Sequence, residues 1–250
     1  MFKELTPYRV VERDATAPRL PFAPCGPHEA FSIGFADKPA EAGIEHITIE
    51  RKVVPPDAVK RKAQALADEI ERTTGRRPKG KHLKALKDEA LGLLLPVAFP
   101  KRKTVPVLWL DDTLLVGTTA AADLDAVLTL LGARVEPLDL ARGRLGHWAR
   151  DESTLPADLM RGQDIVIVSV DDAKATFKAT PLTSPEVVDA LRPDSVVTSM
   201  ALATDRMSFT LTAAGQLKGI KLLDLQSGEA DAGEAHLWRG ELKALLGALA

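Results

Sequence analysis

A run of glycine and basic residues, GRRPKGKH (75–82), has the spacing of a phosphate-binding loop. Two glycines separated by four residues precede Lys81, as in the G-x-x-x-x-G-K pattern that cradles nucleotide phosphates. The next residue is His82, whereas the pattern needs a Ser or Thr hydroxyl there to bind Mg²⁺. A phosphate-binding loop also follows a buried strand, but the residues before Gly75 have helical periodicity. The run is therefore interpreted as a basic connection between two helices.

Asp37, Glu50 and Lys52 form a second candidate site, because they imitate the D…E-x-K signature of a metal-dependent nuclease. In such a site the carboxylates hold Mg²⁺ while the lysine helps a water molecule to attack a phosphate. Glu50 and Lys52 would share one face of a strand. The same residues are also explained by an ion pair at a solvent-facing strand edge, since E-x-K arises often by chance in charged chains. The nuclease is kept as an alternative function.

The histidines and the cysteine indicate neither a metal site nor a nucleophile. The five histidines never stand four residues apart and lack companion ligands at metal spacing. Cys25 is the single cysteine, and it has a proline before it and a glycine after it, with no basic neighbour to activate the thiol. We expect Cys25 to be a buried structural thiol, and we expect no catalytic residue, no metal and no cofactor.

Charge is unevenly distributed along the 250 residues, although the net charge is only -2. The segment from Arg51 to Lys103 holds 15 Lys and Arg against 6 Asp and Glu, and the remainder of the chain holds 18 against 29. A basic segment on a mildly acidic body is typical of a phosphate-binding face that the total charge hides. A solvated helical hairpin rich in lysine has the same composition, so charge alone leaves both interpretations open.

The basic side chains are spread too widely for one small phosphate ligand. They suit the backbone phosphates of double-stranded DNA, bound without sequence specificity. Phe99 is the only aromatic residue of the segment, which disfavours binding of single strands by base stacking. A protein-interaction module with a basic face remains a further alternative. The residues of the segment that we expect to contact DNA are Lys60, Lys62, Arg76, Arg77, Lys79, Lys81, Lys84, Lys101, Arg102 and Lys103.

The elements that must position these residues follow from the apolar pattern. Helical periodicity predicts two helices in PPDAVKRKAQALADEIERTTG and KHLKALKDEALGLLL, with Asp57 as the N-cap of the first and the leucines of the second buried. Strands are predicted at 8–12, 45–54 and 164–170, and Asp111–Asp112 is a predicted hairpin turn. SVVTSMALA, MSFTLTA and LKGIKLLDL predict an antiparallel meander, and a last helix is expected at 236–249. The fold class is α+β, with mixed, mainly antiparallel sheets and a basic helical hairpin.

Four segments are predicted along the chain. Residues 1–56 form the strand-rich start of a central region, and 57–103 form the basic helical hairpin, whose last residues are a loop. Residues 104–163 continue the central region as a hairpin, a helix and a strand, and 164–250 form a C-terminal α+β region with the meander and the last helix. The sequence has no secretory leader and no apolar run long enough to span a membrane, which indicates a cytoplasmic protein.

Several motifs resemble the recombination-associated protein RdgC family, in the family's order and over most of the chain. The most specific are FAPCG (22–26) and LKDEALGLLLPVAF (86–99), accompanied by FKELTPYRV, LWLDD, PLTSPEV and VTSMALATDRMSFTLTAAGQLKGIKL. The resemblance implies a bacterial, nucleoid-associated homodimer that closes into a ring around duplex DNA at a basic hole. It also implies that the protein antagonises RecA by occupying DNA, without base specificity or catalysis.

The resemblance also assigns roles to residues of this chain. The family's helical basic segment falls on 57–87, and Phe99 falls in a region of subunit contact, for which simple core packing is the alternative. The family's finger-like DNA-contacting loop corresponds to FKATPL, which leaves Lys178 and Thr180 in those roles. The chain resembles a shortened, divergent member, trimmed between Arg13 and Phe22 and around 139–165.

Overall fold

The computed structural model describes residues 2–14, 16, 18–223 and 232–249. These residues form eleven strands and six α-helices, and nine of the strand pairs are antiparallel. The predicted α+β class with mainly antiparallel sheets is confirmed. Residues 224–225, the end of the third predicted meander strand, lie outside the described residues.

The strands have the following bounds in chain order: β1 Glu4–Arg13, β2 Phe31–Phe35, β3 Ile44–Lys52, β4 Pro100–Leu110, β5 Thr113–Val116, β6 Ala133–Pro137, β7 Met160–Val168, β8 Lys174–Phe177, β9 Val196–Ala203, β10 Met207–Thr212 and β11 Leu217–Leu222. The helices are α1 Pro56–Thr74, α2 Lys81–Leu94, α3 Ala121–Leu131, α4 Leu145–Arg150, α5 Pro185–Ala190 and α6 Ala232–Leu249, with short 3-10 turns at Leu95–Val97 and Glu152–Thr154. None of the helices in the described part of the chain is long and apolar enough to cross a membrane.

The chain divides into two compact units. Unit 1 contains Met1–Pro18, Lys38–His46 and Val105–Ala250, and unit 2 contains Arg19–Asp37 and Ile47–Thr104. Strands β3 and β4 contribute residues to both units. The basic hairpin predicted over 57–103 lies within unit 2.

Unit 1 is built on antiparallel strands in the order β4, β5, β1, β11, β10, β9, β7 and β8, and β6 also pairs with β1. The predicted meander is confirmed as β9–β10–β11. Strand β10 alternates as its sequence requires, because Met207, Phe209 and Leu211 are buried while the residues between them are half-buried. These side chains belong to one apolar cluster with Trp238 and Leu242 of α6. The predicted hairpin turn at Asp111–Asp112 is also confirmed between β4 and β5.

Unit 2 combines the strand order β2, β3, β4 with the hairpin of α1 and α2. The hairpin has a small core of its own, in which Ala63 and Ala67 of α1 meet Leu86 and Ala90 of α2. Each helix uses only this apolar side for the contact, so most of its charged side chains are exposed. The hairpin therefore presents its charged side chains without using them for packing.

Of the two residues predicted to end α1, the one at its C-terminus is confirmed and the one at its N-terminus is wrong. Gly75 ends the helix in the left-handed conformation, with φ 68°, and its N–H donates to the Glu71 carbonyl at 2.8 Å. Asp57, predicted as the N-cap, lies instead in the first turn, and Pro55 occupies the cap position. The sequence PPD places a proline at the first helical position, where its fixed φ suits a helix start.

Candidate nucleic-acid interface

A buried carboxylate, that of Glu50 on β3, organises the sheet of unit 2. Only 2% of its side chain is exposed. Its Oε1 atom accepts a hydrogen bond from the Cys25 N–H at 2.8 Å. Its Oε2 atom accepts two more from Arg102, from Nε at 2.9 Å and from Nη2 at 2.8 Å. A buried anion is tolerated only when it is paired in this way, so Glu50 holds both partners in fixed positions.

These contacts shift two pKa values in opposite directions. The Cys25 N–H and then the Arg102 guanidinium hold the pKa of Glu50 below its ordinary value of 4.5, against the opposing effect of burial. Burial raises the pKa of the Cys25 thiol, and the neighbouring Glu50 raises it further. The half-buried thiol lies 3.6 Å from the Glu50 carbonyl oxygen, to which it donates. The thiol is therefore only half-buried and not buried as expected, but its raised pKa keeps it protonated, which fits a structural role.

The same network holds the FAPCG segment (22–26) against β2 and β3. Lys52 Nζ donates to the carbonyl oxygens of Gly26 at 2.6 Å and Pro27 at 3.0 Å. The Arg102 guanidinium lies 5.0 Å from the centre of the Phe22 ring. A Cβ atom on Gly34 would stand 2.5 Å from Phe22 Cα, so the close approach of segment and strand requires glycine there. The motif is therefore part of the architecture of unit 2.

The candidate nuclease residues are not brought together. Ser32 pairs with Glu50, and Phe35 pairs with Ile47, so Asp37 lies beyond the end of β2 that is far from Glu50. Glu50 is hydrogen-bonded to Cys25 and ion-paired with Arg102. The alternative interpretation placed it on a solvent-facing strand edge, but its side chain is buried. Among the described residues no group of three His, Cys, Asp or Glu side chains is placed to hold a metal ion.

The start of α2 concentrates positive charge. Its N-cap is Gly80, no side chain caps it, and its first turn contains no acidic residue. Lys81 and Lys84 are both exposed, and at about 100° per residue they lie on the side of the helix away from the buried Leu86 and Ala90. The partial positive charge of a helix N-terminus adds to theirs. The structure therefore confirms the predicted basic connection between two helices.

The basic residues of α1 do not share one side of the helix. Lys60 and Lys62 are exposed, but they stand about 200° apart around the helix axis. In the connection, Arg76 and Lys79 are exposed, whereas Arg77 forms ion pairs with Asp68 at 3.3 Å and Glu71 at 3.4 Å. A ligand that approaches from one side can therefore contact only some of these basic residues.

Lys101, Arg102 and Lys103 lie in β4, not in the predicted loop. Successive side chains of a strand point to opposite faces, and Arg102 faces Glu50. Lys101 and Lys103 therefore point to the other face, where both are exposed. Sequence reasoning counted Arg102 as a DNA contact and missed its bond to Glu50. No local signal gave this pairing, because Glu50 and Arg102 stand 52 positions apart in the sequence.

Lys178 and Thr180 lie in unit 1, directly after β8. Lys178 is exposed and Thr180 is half-buried. The Thr180 N–H donates to the Gln163 carbonyl at 3.1 Å, and the neighbouring Ala179 N–H donates to Asp164 Oδ1 at 2.8 Å. This loop is therefore anchored to the residues of β7, and the DNA-contacting role of its two residues stays a prediction.

Phe99 is 88% exposed and is not part of a core. The core-packing alternative for Phe99 is therefore wrong. Val97 and Leu93, close to it in the chain, are 73% and 51% exposed. An exposed phenylalanine beside two exposed aliphatic residues is typical of a surface that another molecule covers.

Comparison with known proteins gives one consistent result. A family model described as "Putative exonuclease, RdgC" matches residues 1–245. The recombination-associated protein RdgC of Actinobacillus succinogenes is 29% identical over 227 residues, which cover 81% of this chain and 74% of that protein. The protein of the same name from Bordetella parapertussis is 29% identical over 198 residues, covering 73% and 65%. That from Yersinia pestis is 29% identical over 259 residues, covering 89% and 84%.

Replacing the buried carboxylate, Glu50→Gln, should lower the Tm and weaken the acid dependence of stability. Because the pKa of Glu50 is lowered in the folded protein, its contribution is complete above the ordinary value of 4.5 and is lost as the pH falls through the lower folded value. Thermal unfolding between neutral and acidic pH measures both effects. The wild type should lose more stability than Glu50→Gln on acidification.

Glu69→Gln is the matched control, because Glu69 forms an exposed ion pair with Arg72 on α1. It should change stability by no more than about 0.5 kcal/mol. Equal acid profiles for the wild type and Glu50→Gln would contradict the assigned role of Glu50.

Proposed function

Because the chain belongs to the RdgC family, whose curated members are recombination-associated proteins, we propose that it binds double-stranded DNA without sequence specificity. The observation that carries this proposal is the cluster of exposed lysines at the start of α2. Lys81 and Lys84 stand beside helix N–H groups and no acidic side chain of the first turn neutralises them. Backbone phosphates match point charges of this kind, and they carry no sequence information.

Residues of several elements would contribute to the surface that contacts DNA. Arg76 and Lys79 extend the positive charge of α2 into the connection, and Lys60 and Lys62 supply charge on two sides of α1. Arg77 and Arg102 serve mainly to hold the local structure, since both have acidic partners at hydrogen-bonding distance. Lys178 and Thr180 would contact DNA from unit 1. We expect the lysines of α2 to contribute more than the paired arginines.

The working assembly would be a homodimer closed into a ring around the duplex. Phe99 supports this part of the proposal, because a side chain that is 88% exposed gains most from burial against a partner. A ring on DNA limits recombination by leaving less duplex accessible to RecA. Such a protein would act in the bacterial nucleoid.

A metal-dependent nuclease is the alternative, and the printed description of the family model, a putative exonuclease, keeps it open. The geometry of Asp37, Glu50 and Lys52 gives it no support, because Glu50 and Lys52 are committed to the FAPCG segment. Supercoiled plasmid and the same plasmid cut once, each incubated with the protein and Mg²⁺, separate the two functions. Retardation of both forms without cleavage favours binding, whereas nicking of the circle or shortening of the linear form favours the nuclease. Capture of a protein partner without DNA retention favours an interaction module.

The charge reversal Lys81→Glu with Lys84→Glu should weaken binding to all duplex sequences alike. Since each phosphate contact contributes about 0.9 to the dependence of log K on log salt, the slope should become shallower by about 2. Affinity at low salt should fall at least about tenfold. Fluorescence anisotropy with several labelled duplexes over a salt series measures both quantities.

The matched control is Lys218→Glu with Lys221→Glu, which reverses two exposed lysines at the same spacing on β11. This variant has the same net charge as the first one. Equal losses in the two variants would mean that only total charge matters, and a loss at one sequence alone would contradict backbone recognition.

Phe99→Ala should weaken the homodimer, because it removes the most exposed of the described large apolar side chains. A central aromatic contact of an interface typically makes the dissociation constant at least about tenfold larger when truncated to alanine. Sedimentation equilibrium over a concentration series measures this constant. Val188→Ala, which truncates an apolar side chain that is 55% exposed, is the control. An unchanged dimer, or equal effects of the two variants, would remove Phe99 from the interface.

A further inference from the structure

A groove of about 370 Å³ opens on unit 1 between α6 and the turn that joins β9 to β10. Residues 204–206, which form this turn, make one wall. The start of β7 makes another, because Met160 pairs in register with Ala203 at the end of β9. The α6 residues that line the groove repeat at helical spacing and so share one side of the helix. They are Glu241, Ala244, Leu245 and Ala248.

The groove exposes apolar surface that the chain itself does not cover. Met160 is 48% exposed. Ala157, Ala244 and Ala248 beside it are too short to fill the space, and Leu245 beneath them belongs to the apolar core of unit 1. Methionine is flexible and polarisable, so it adapts to the side chain of a partner. The volume lies at the lower end of the range for ligand pockets, so it suits one long side chain.

The charge of the groove is negative. Three acids, Asp158, Asp205 and Glu241, line it against one cation, Arg206. Arg206 Nη1 lies 3.4 Å from Glu241 Oε1. Asp158 and Asp205 are exposed, and within the described part of the chain neither has an ionic partner. The Met207 N–H donates to Thr204 Oγ1 at 3.0 Å, which holds the turn that presents Asp205. Two carboxylates therefore remain for an incoming cation.

We propose that this groove binds a lysine or arginine side chain from a basic segment of a partner protein. The aliphatic stem of the cation lies along Met160 and the alanines, and its head group meets Asp158 and Asp205. The negative charge repels phosphates, and the lining residues are different from those expected to contact DNA. The site is thus an addition to the proposed duplex binding, and it involves no covalent step.

The competing explanation is a solvent-filled gap in which Arg206 merely neutralises Glu241. The two explanations differ in the effect of removing Arg206. If a partner cation binds the groove, Arg206 repels it and occupies one of its carboxylates. Arg206→Ala should therefore tighten binding of a cationic peptide. A solvent-filled gap has no such binding to tighten.

The methionines supply a local readout, since the chain has only four of them. Met200 and Met207 are buried and serve as internal controls, whereas Met160 lies in the groove. The protein, labelled with ¹³C at the methionine methyl groups, would be titrated by NMR with a blocked glycine–alanine peptide that carries one central arginine. Peptides with lysine or with citrulline, the neutral analogue of arginine, replace it in parallel titrations. Met160→Leu identifies the Met160 signal.

The arginine and lysine peptides should move the Met160 signal in a saturable way, and the citrulline peptide should not. Asp158→Asn with Asp205→Asn should weaken binding of the arginine peptide at least about threefold, because two exposed ion pairs are lost. Asp171→Asn with Asp172→Asn is the matched control. It removes the same charge from exposed residues between β7 and β8 and should leave the affinity unchanged.

Three results would overturn the proposal: a Met160 signal that stays in place, one that moves equally with the citrulline peptide, or equal affinities of the wild type and Asp158→Asn with Asp205→Asn. A Met160 signal that shifts when the protein alone is diluted would mean that a second copy covers the groove, which also contradicts a basic partner. Failure of DNA retention would remove the proposed duplex binding without affecting this result, since the titration contains no DNA.

Discussion

The burial of one carboxylate constrains the rest of unit 2. Glu50 needs hydrogen-bonding and cationic partners where it stands, because an unpaired buried charge is strongly destabilising. Its two partners come from distant parts of the chain, the Cys25 N–H from the FAPCG segment and Arg102 from β4. The contacts of one acid therefore hold the FAPCG segment against β3 and fix the face of β4 to which Arg102 points, which leaves Lys101 and Lys103 on the other face.

The helical hairpin holds side chains of like charge close together in solvent. Its core of alanines and leucines is small and internal, so the helices need no charged side chain for their packing. The exposed ion pairs of Arg72 and Arg77 with acidic residues of α1 moderate the repulsion between neighbouring cations. The start of α2 lacks such acids, so positive charge is most concentrated at Lys81 and Lys84. This division explains why a chain with a net charge of -2 can still present a concentrated positive surface.

Local sequence patterns predicted the helices and strands well, but they could not predict contacts between residues that are far apart in the sequence. The helices of the hairpin, the meander and the turn at Asp111–Asp112 follow from periodicity and turn residues, which act over a few positions. The Glu50–Arg102 bond joins residues 52 positions apart, and no local signal distinguishes it from a metal ligand beside a DNA-binding arginine. Phe99 was placed at an interface by resemblance, and its exposure fits that role.

The central proposal is that the protein encircles DNA, and a comparison of closed circular with linear DNA tests it most directly. Protein bound to a covalently closed circular plasmid and to the same plasmid cut once would be washed at increasing salt, and the retained protein measured. A closed ring cannot leave a circle without opening, but it can slide off a free end. Retention on the circle at salt concentrations that empty the linear form is the expected result. Equal release from both forms would contradict a closed ring.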